Sequence, residues 1–313
     1  MKIKDHFMRT VKKINKRIEI ITNGGEPTPI PRAWRKSLLG SCNILVAIPD
    51  MHMYIRKSKL DNFHYGMEAL QNFLTYLNTL KEELALKNKT LRIYQLGDVY
   101  EMRFPSIAEP GSNATASEIR RSHPDYDLTL SMMDHLRTHF LYGNHDFELR
   151  HFPSFRLGAY EGKVYLEHGF TPSPWYENPR KTFWEPAMWM FKKLREVEEF
   201  FANLVVPASQ IGKDKHFGIG VTSGETERGD YPPEFDYPVG IRDYYSGRVL
   251  NDPDQKECRA CIIGHTHQPY LKLEVDAEGG GYVFADAGGW TEGRSDFVVM
   301  TNEEIAICHY KRV

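Results

Sequence analysis

The sequence predicts an α/β protein. Short apolar runs, rich in Ile, Leu, Val and Tyr, recur along the chain and end in Gly or Pro followed by Asp, Asn or His. A long helical repeat separates the first two runs, as the crossover of a βαβ unit requires. From Tyr270 onward, strand-like runs alternate with short turns, the pattern of antiparallel pairing.

At the N-terminus, residues 2 to 21 read as an amphipathic helix, with Phe7, Val11, Ile14, Ile18 and Ile21 at helical spacing. Its other face carries Lys2, Lys4, Arg9, Lys12, Lys13, Lys16 and Arg17 against Asp5 and Glu19. Asn23-Gly24-Gly25 ends it, and Pro27, Pro29 and Pro31 make an extended linker. Residues 1–40 are therefore expected to stand apart from a domain over 41–313. The basic helix suits packing on the domain or on a partner chain, or peripheral attachment to an anionic membrane surface.

The domain opens with Ile44-Leu45-Val46-Ala47-Ile48, a buried parallel strand running out into Pro49-Asp50-Met51-His52. Asp50 and His52 sit two apart and share a side in an extended segment. A helix over about Asn62 to Leu86 follows, with Met67, Leu70, Leu74, Leu77 and Leu84 on one face. The next strand, Ile93 to Leu96, ends in Gly97-Asp98-Val99-Tyr100-Glu101. A loop over Pro105 to Ser117 and a helix near Tyr126 to Arg137 lead to His139-Phe140-Leu141-Tyr142, which meets Gly143-Asn144-His145-Asp146. Val164 to Glu167 ends at His168-Gly169, and Ala260 to Ile263 ends at Gly264-His265-Thr266-His267. Tyr270 to Val275 and Gly281 to Phe284 pair around Gly279-Gly280, and Phe297 to Met300 with Ile305 to His309 finish a second sheet.

Between His168 and Gly264 lies the least regular stretch, an insertion over about 170–256. Thr182 to Val206 reads as a helix with two apolar stripes, one of them Trp184, Met188 and Phe191. Such a surface needs a partner: the core, a second copy, or the apolar part of a substrate held under a cap. Thr222 to Pro238 reads as a long loop.

Bulk properties exclude several classes. Forty Lys and Arg against 42 Asp and Glu leave a formal charge of −2, so no nucleic-acid partner is expected. Cys42, Cys258, Cys261 and Cys308 make no disulfide framework, and the lone Cys258-x-x-Cys261 has no second pair to complete a zinc site. A reducing cytosol fits. The first residues lack an apolar signal core, and no apolar run approaches the roughly 20 residues of a membrane span. The expected location is cytoplasmic, at the inner membrane surface if the basic helix binds lipid.

A single Asp-x-His or His-Gly is an ordinary turn. Five strand ends that each deliver Asp, Asn or His to one sheet edge are the usual construction of a site. The ordered set Asp-x-His, Gly-Asp-x-x-Glu, Gly-Asn-His-Asp, His-Gly and Gly-His-Thr-His resembles the calcineurin-like metallophosphoesterase superfamily, over about Asn43 to Trp290. The resemblance implies a four-layer α/β/β/α sandwich of two mixed sheets flanked by helices, with a helical insertion. It implies two divalent ions, one held by Asp50, His52, Asp98 and His267, the other by Asp98, Asn144, His168 and His265. Oxygen and imidazole ligands without thiolate suit Mn²⁺ first, with Fe or Zn²⁺ as alternatives. Asp98 would bridge the ions with its two oxygens, and a water activated between them would attack phosphorus. His145 would face the phosphate as stabiliser or acid, with Asp146 as its orienting partner or simply as a turn-capping carboxylate. Glu101 would stand behind the ligands.

Protein Ser/Thr phosphatases of this superfamily carry Asp-Arg after the second motif and Glu after Gly-Asn-His, where this chain has Val99-Tyr100-Glu101 and Asp146. In layout the chain is nearest the UDP-2,3-diacylglucosamine hydrolases, which carry Arg where this chain has His145. A phosphodiester or pyrophosphate of nucleotide-like or lipid-like character is the expected substrate. A cyclic-nucleotide or general phosphodiesterase is the alternative; a nuclease and a ligand-stripped scaffold are remoter ones.

Overall fold

A computed structural model describes residues 17–55, 63, 66–102, 115–170, 245, 258–277, 279–291 and 294–311. In chain order the strands are β1 (Ile18–Ile20), β2 (Thr28–Pro29), β3 (Ile44–Ile48), β4 (Leu91–Gln95), β5 (His139–Leu141), β6 (Phe155–Arg156) and β7 (Gly158–Glu161). They continue with β8 (Val164–Glu167), β9 (Ala260–Ile263), β10 (Tyr270–Val275), β11 (Gly281–Asp286), β12 (Asp296–Thr301) and β13 (Glu304–Tyr310). The helices among the described residues are α1 (Met67–Ala85), α2 (Ala116–Ser122) and α3 (Pro124–His135).

Two mixed sheets result. The first has the order β1-β13-β12-β3-β4-β5-β6, with β2 also on β13; the second has the order β10-β11-β9-β8-β7. β3, β4 and β5 run parallel, and α1 is the crossover between the first two. In the second sheet β8, β9 and β11 run parallel, flanked by the antiparallel β7 and β10.

Strand alternation sorts the core into layers. Ile44, Val46 and Ile48 of β3 face α1, where Leu70, Phe73, Leu74 and Leu77 are buried. Leu45 and Ala47 turn the other way and meet Leu166, Ile262 and Val283 of the second sheet. Cys261 and Ile263 face outward again and pack with Phe284 and Tyr245. All four cysteines are buried free thiols. Phe73 of α1 sits among aromatics, its ring centroid 5.6 Å from Trp290, 4.3 Å from Phe297 and 5.5 Å from Tyr310.

The α/β class, the two mixed sheets and the crossover helix are as expected. Several other readings are corrected. Residues 18–20 are a strand, not the end of a helix: Ile18 pairs with Tyr310 and Ile20 with Cys308. Ile18 and Ile20 also satisfy a period of two, both are β-branched, and the open edge of β13 supplies the backbone partners that a short helix end lacks. The Pro-containing stretch is no free linker. β2 pairs with β13, while Ile30, Trp34, Leu38 and Leu39 fill the layer between the sheets. The boundary expected at residue 40 therefore does not exist for residues 18–39. β12 and β13 close the first sheet through the β12–β3 pairing, not the second. An unexpected helix, α2, begins inside the expected loop, capped by Thr115 with Glu118 in its first turn as a capping box.

Residues 2–16, the stretch 182–206 with Trp184, Met188 and Phe191, and the loop 222–238 lie outside the described residues. So does the layer expected on the outer face of the second sheet, apart from Tyr245. Among the described residues no helix is long and apolar enough to cross a membrane.

Candidate metal centre

The polar residues gather at the C-terminal ends of β3, β4 and β5 in one sheet and of β8 and β9 in the other. The site thus straddles two sheets, where the sequence suggested a single sheet edge. Asp50 and His168 are fully buried, and Asp98 and His52 nearly so.

Local backbone geometry is unusual at these positions. Among the described residues seven non-glycine residues have positive φ, and His52, Asp98, His265 and His267 are four of them. Asp and His tolerate this region better than most residues, but it still costs about 1–3 kcal/mol each unless the surroundings enforce it. They do so here. Met51 and His52 donate their N–H groups to the carbonyl of Asp98, and Trp290 donates its N–H to the carbonyl of Asp50. Two glycines are required by close approach. A Cβ on Gly143 would strike the Asp98 carboxylate, and one on Gly264 would lie 2.5 Å from Asp50 Oδ2. Each carboxylate uses that space to accept a ligand loop's N–H: Asp98 Oδ1 from His145 at 2.8 Å, Asp50 Oδ2 from His265 at 2.8 Å.

The remaining carboxylate oxygens point into the cluster. His168 Nε2 lies 3.1 Å from Asp98 Oδ2, 3.0 Å from Asn144 Oδ1 and 3.2 Å from His265 Nδ1. His52 Nε2 lies 3.2 Å from His267 Nε2, 3.7 Å from Asp98 Oδ2 and 3.9 Å from Asp50 Oδ1. Asp50 Oδ1 is 3.6 Å from His267 Nε2. Donor atoms bound at about 2.0–2.2 Å to one ion stand roughly 3.0–3.5 Å apart, so the first group fits a divalent ion and the second needs only slight contraction. Asp50 Oδ1 is buried with no hydrogen-bond partner, as expected of an oxygen that belongs to an ion. His168 Nδ1 donates to the Leu96 carbonyl at 2.9 Å, which leaves Nε2 as the ligand atom. Asp50, His52 and His267 form one set able to hold an ion; Asp98, His168 and His265 form another.

Among the described residues Asp98 Oδ2 lies near both sets, 3.1 Å from His168 Nε2 and 3.7 Å from His52 Nε2, while Oδ1 accepts the His145 N–H.

Charge follows the geometry. Burial alone would push the Asp50 carboxyl up, but His168 and His267 hold it down at about 2. Asp98 lies well below the ordinary carboxyl value, for although burial opposes ionisation, His168 and His145 favour it. Burial would lower His168, yet Asp98 and Asp50 raise it to about 9. His265 falls to about 3 through burial and the neighbouring His168.

His145 and Asp146 do not pair. Asp146 Oδ1 accepts from the N–H of Gly143 at 2.6 Å and Oδ2 from Val99 at 2.8 Å, so it anchors the turn. Burial and the nearby Asp98 push its carboxyl up to about 7. His145 Nδ1 instead meets Glu101, 2.7 Å from Oε2 and 2.9 Å from Oε1. Glu101 Oε2 also lies 3.4 Å from His52 Nδ1. The spacing Gly-Asp-x-x-Glu was visible in the sequence; that its Glu turns toward His145 was not, because the contact crosses 44 residues.

No protein-family model matches the chain, and no curated protein does. Among solved structures it is similar to a conserved uncharacterized protein of Streptococcus pneumoniae TIGR4, titled a predicted phosphoesterase. Identity is 10%, coverage is 85% of this chain and 88% of that one, and the TM-score is 0.31. So low a TM-score adds nothing to what the strand order and the site establish. Those define an α/β fold of two mixed sheets whose strand ends bring together residues able to hold metal ions.

Proposed function

We propose that the protein is a binuclear metal-dependent phosphoester hydrolase acting on a phosphodiester or pyrophosphate of nucleotide-like or lipid-like character. One observation carries the reading. Two sets able to hold an ion, Asp50, His52 and His267 and Asp98, His168 and His265, lie side by side with His52 Nε2 3.7 Å from Asp98 Oδ2, and a histidine paired to a carboxylate stands beside them. Asp50, His52, Asp98 and His267 would hold one ion; Asp98, Asn144, His168 and His265 the other. Mn²⁺ suits this donor set, with Fe or Zn²⁺ as alternatives.

Two such ions supply the charge that clamps a phosphoryl group and that makes water a nucleophile near neutral pH. The chain's own residues do the rest. Glu101 stays a carboxylate despite its burial because His145 and His52 hold its carboxyl well below the ordinary value. It therefore fixes the His145 ring through Nδ1, and Nε2 is the atom that would give a proton to the leaving oxygen. With 24% of its side chain exposed, His145 can reach a bound ester. Asn144 contributes an uncharged oxygen, which moderates the negative charge around the phosphate. In the sequence, the apolar spacing of Trp184, Met188 and Phe191 favours a substrate with an aromatic or acyl part.

A panel with added Mn²⁺ tests this: bis(p-nitrophenyl) phosphate, p-nitrophenyl phosphate, cyclic nucleotides and nucleoside-diphosphate lipids. Diesters or pyrophosphates should be turned over in preference to the monoester. His145→Ala should keep its metal and lose about 10²–10⁴ in kcat, the usual range for a proton donor or charge stabiliser. A chain that binds two ions yet cleaves none of these compounds sinks the reading.

A further inference from the structure

We propose that Asp286 is a positioning residue for the metal centre, acting through Thr266 on His265 and His267 together. The proposal rests on the functional reading above and concerns a residue in neither donor group.

Asp286 ends β11 and is fully buried. Its Oδ2 accepts from the Thr266 hydroxyl at 2.6 Å, and its Oδ1 accepts from the Gly288 N–H at 3.0 Å. Thr266 is the residue between the two ligand histidines. Its hydroxyl oxygen in turn accepts from the Gln268 N–H at 3.2 Å, and its own N–H donates to the Gly264 carbonyl at 3.0 Å. The Gly264–Gln268 loop is thus pinned at its centre by a buried hydrogen bond between side chains.

That bond sits where the backbone most needs it. His265 has φ 77° and His267 has φ 56°, so Thr266 is flanked on both sides by left-handed residues. Such geometry persists only where neighbours over-determine it. Asp286 also starts the turn that reaches Asp50: the turn's Trp290 donates to the Asp50 carbonyl, and Gly289 bridges to Asp50. His265 belongs to one donor group and His267 to the other, so a shift of Thr266 moves one ligand of each.

A merely structural bond would lower the melting temperature of the ion-free chain and leave the affinity of the folded chain alone. A positioning bond changes affinity, and at both ions. The test is calorimetric titration of the full-length, ion-free, folded chain with Mn²⁺, in wild type, Thr266→Val, Thr266→Ser, Asp286→Ala and His267→Ala. Wild type should take up two ions. Thr266→Val should weaken both binding steps by about 10–100-fold, the usual cost of losing a ligand's supporting partner. Thr266→Ser, which keeps the hydroxyl, should restore both, and His267→Ala should weaken chiefly one. Should Asp286→Ala not fold, the Thr266 variants carry the test. Two wild-type steps with Thr266→Val unshifted, or shifted at one step alone, overturn the proposal by itself. A wild type that takes up no Mn²⁺ overturns the functional reading and the proposal with it.

Discussion

His168 illustrates how a single side chain links burial, charge and metal affinity. In the ion-free chain it is raised to about 9, because Asp98 and Asp50 outweigh the burial that would lower it. The sign follows directly. Its proton stabilises the ion-free fold below the ordinary histidine value, and that contribution is lost as pH rises through about 9. An ion bound at Nε2 must displace this proton, so affinity should climb by about tenfold per pH unit until that point and level off beyond it. His265, held down at about 3, is already neutral and gives up no proton near pH 7. Titrating Mn²⁺ in two buffers of different ionisation enthalpy should therefore reveal close to one proton released from His168. No buffer dependence would mean that His168 is not displaced from its proton. The residue scale was also where the sequence was most legible. The ligand types and their spacing to glycine were plain because Gly143 and Gly264 leave room for carboxylates that arrive from elsewhere. The Glu101–His145 pair and the turn-capping role of Asp146 were not, since both depend on where separate loops point.

Among the elements, α1 shows why the crossover was easy to read and the N-terminal strand was not. Nineteen residues with a continuous apolar stripe leave no alternative to a helix, and its buried face meets the first sheet. Ile18-Glu19-Ile20 is three residues long, and its spacing satisfies helix and strand alike. Only β13, nearly three hundred residues away, decides the matter. Phe73 is the centre of the α1 contact, with Trp290, Phe297 and Tyr310 around it. Phe73→Ala should destabilise the chain by about 3–5 kcal/mol, the cost of truncating a buried phenylalanine. Because Trp290 also holds Asp50 through its N–H, a small loss of Mn²⁺ affinity should accompany the loss of stability. Denaturant unfolding with and without Mn²⁺ separates the two effects; an unchanged midpoint would show that Phe73 does not support this layer.

For the whole molecule, the redrawn boundary changes what can be removed. Cutting at residue 40 would strip β1 and β2 from the first sheet and take Ile30, Trp34, Leu38 and Leu39 out of the layer between the sheets. That truncation should yield insoluble or unfolded protein. Cutting before residue 17 spares all of these, and the shorter chain should keep its cooperative unfolding and its Mn²⁺ uptake. If the basic residues from Lys2 to Lys16 attach the protein to lipid, the same cut should abolish sedimentation with vesicles containing phosphatidylserine, while turnover of a small soluble diester stays unchanged. Vesicle binding that survives the cut would remove the basis for a peripheral membrane role.

The straddling of two sheets by one site has a mechanical consequence. Where Leu45 and Ala47 face Leu166, Ile262 and Val283, the layers touch through apolar side chains, which tolerate a small sideways slip at modest cost. Coordination bonds do not tolerate it: a displacement of half an ångström is enough to spoil a ligand set. Ions gripped by Asp50 and His52 from one layer and by His168, His265 and His267 from the other would convert a greased contact into a clamped one. Loading the centre would then set the register of the sandwich, and the amides at the C-terminal ends of β3 and β8 would exchange more slowly than in the ion-free chain.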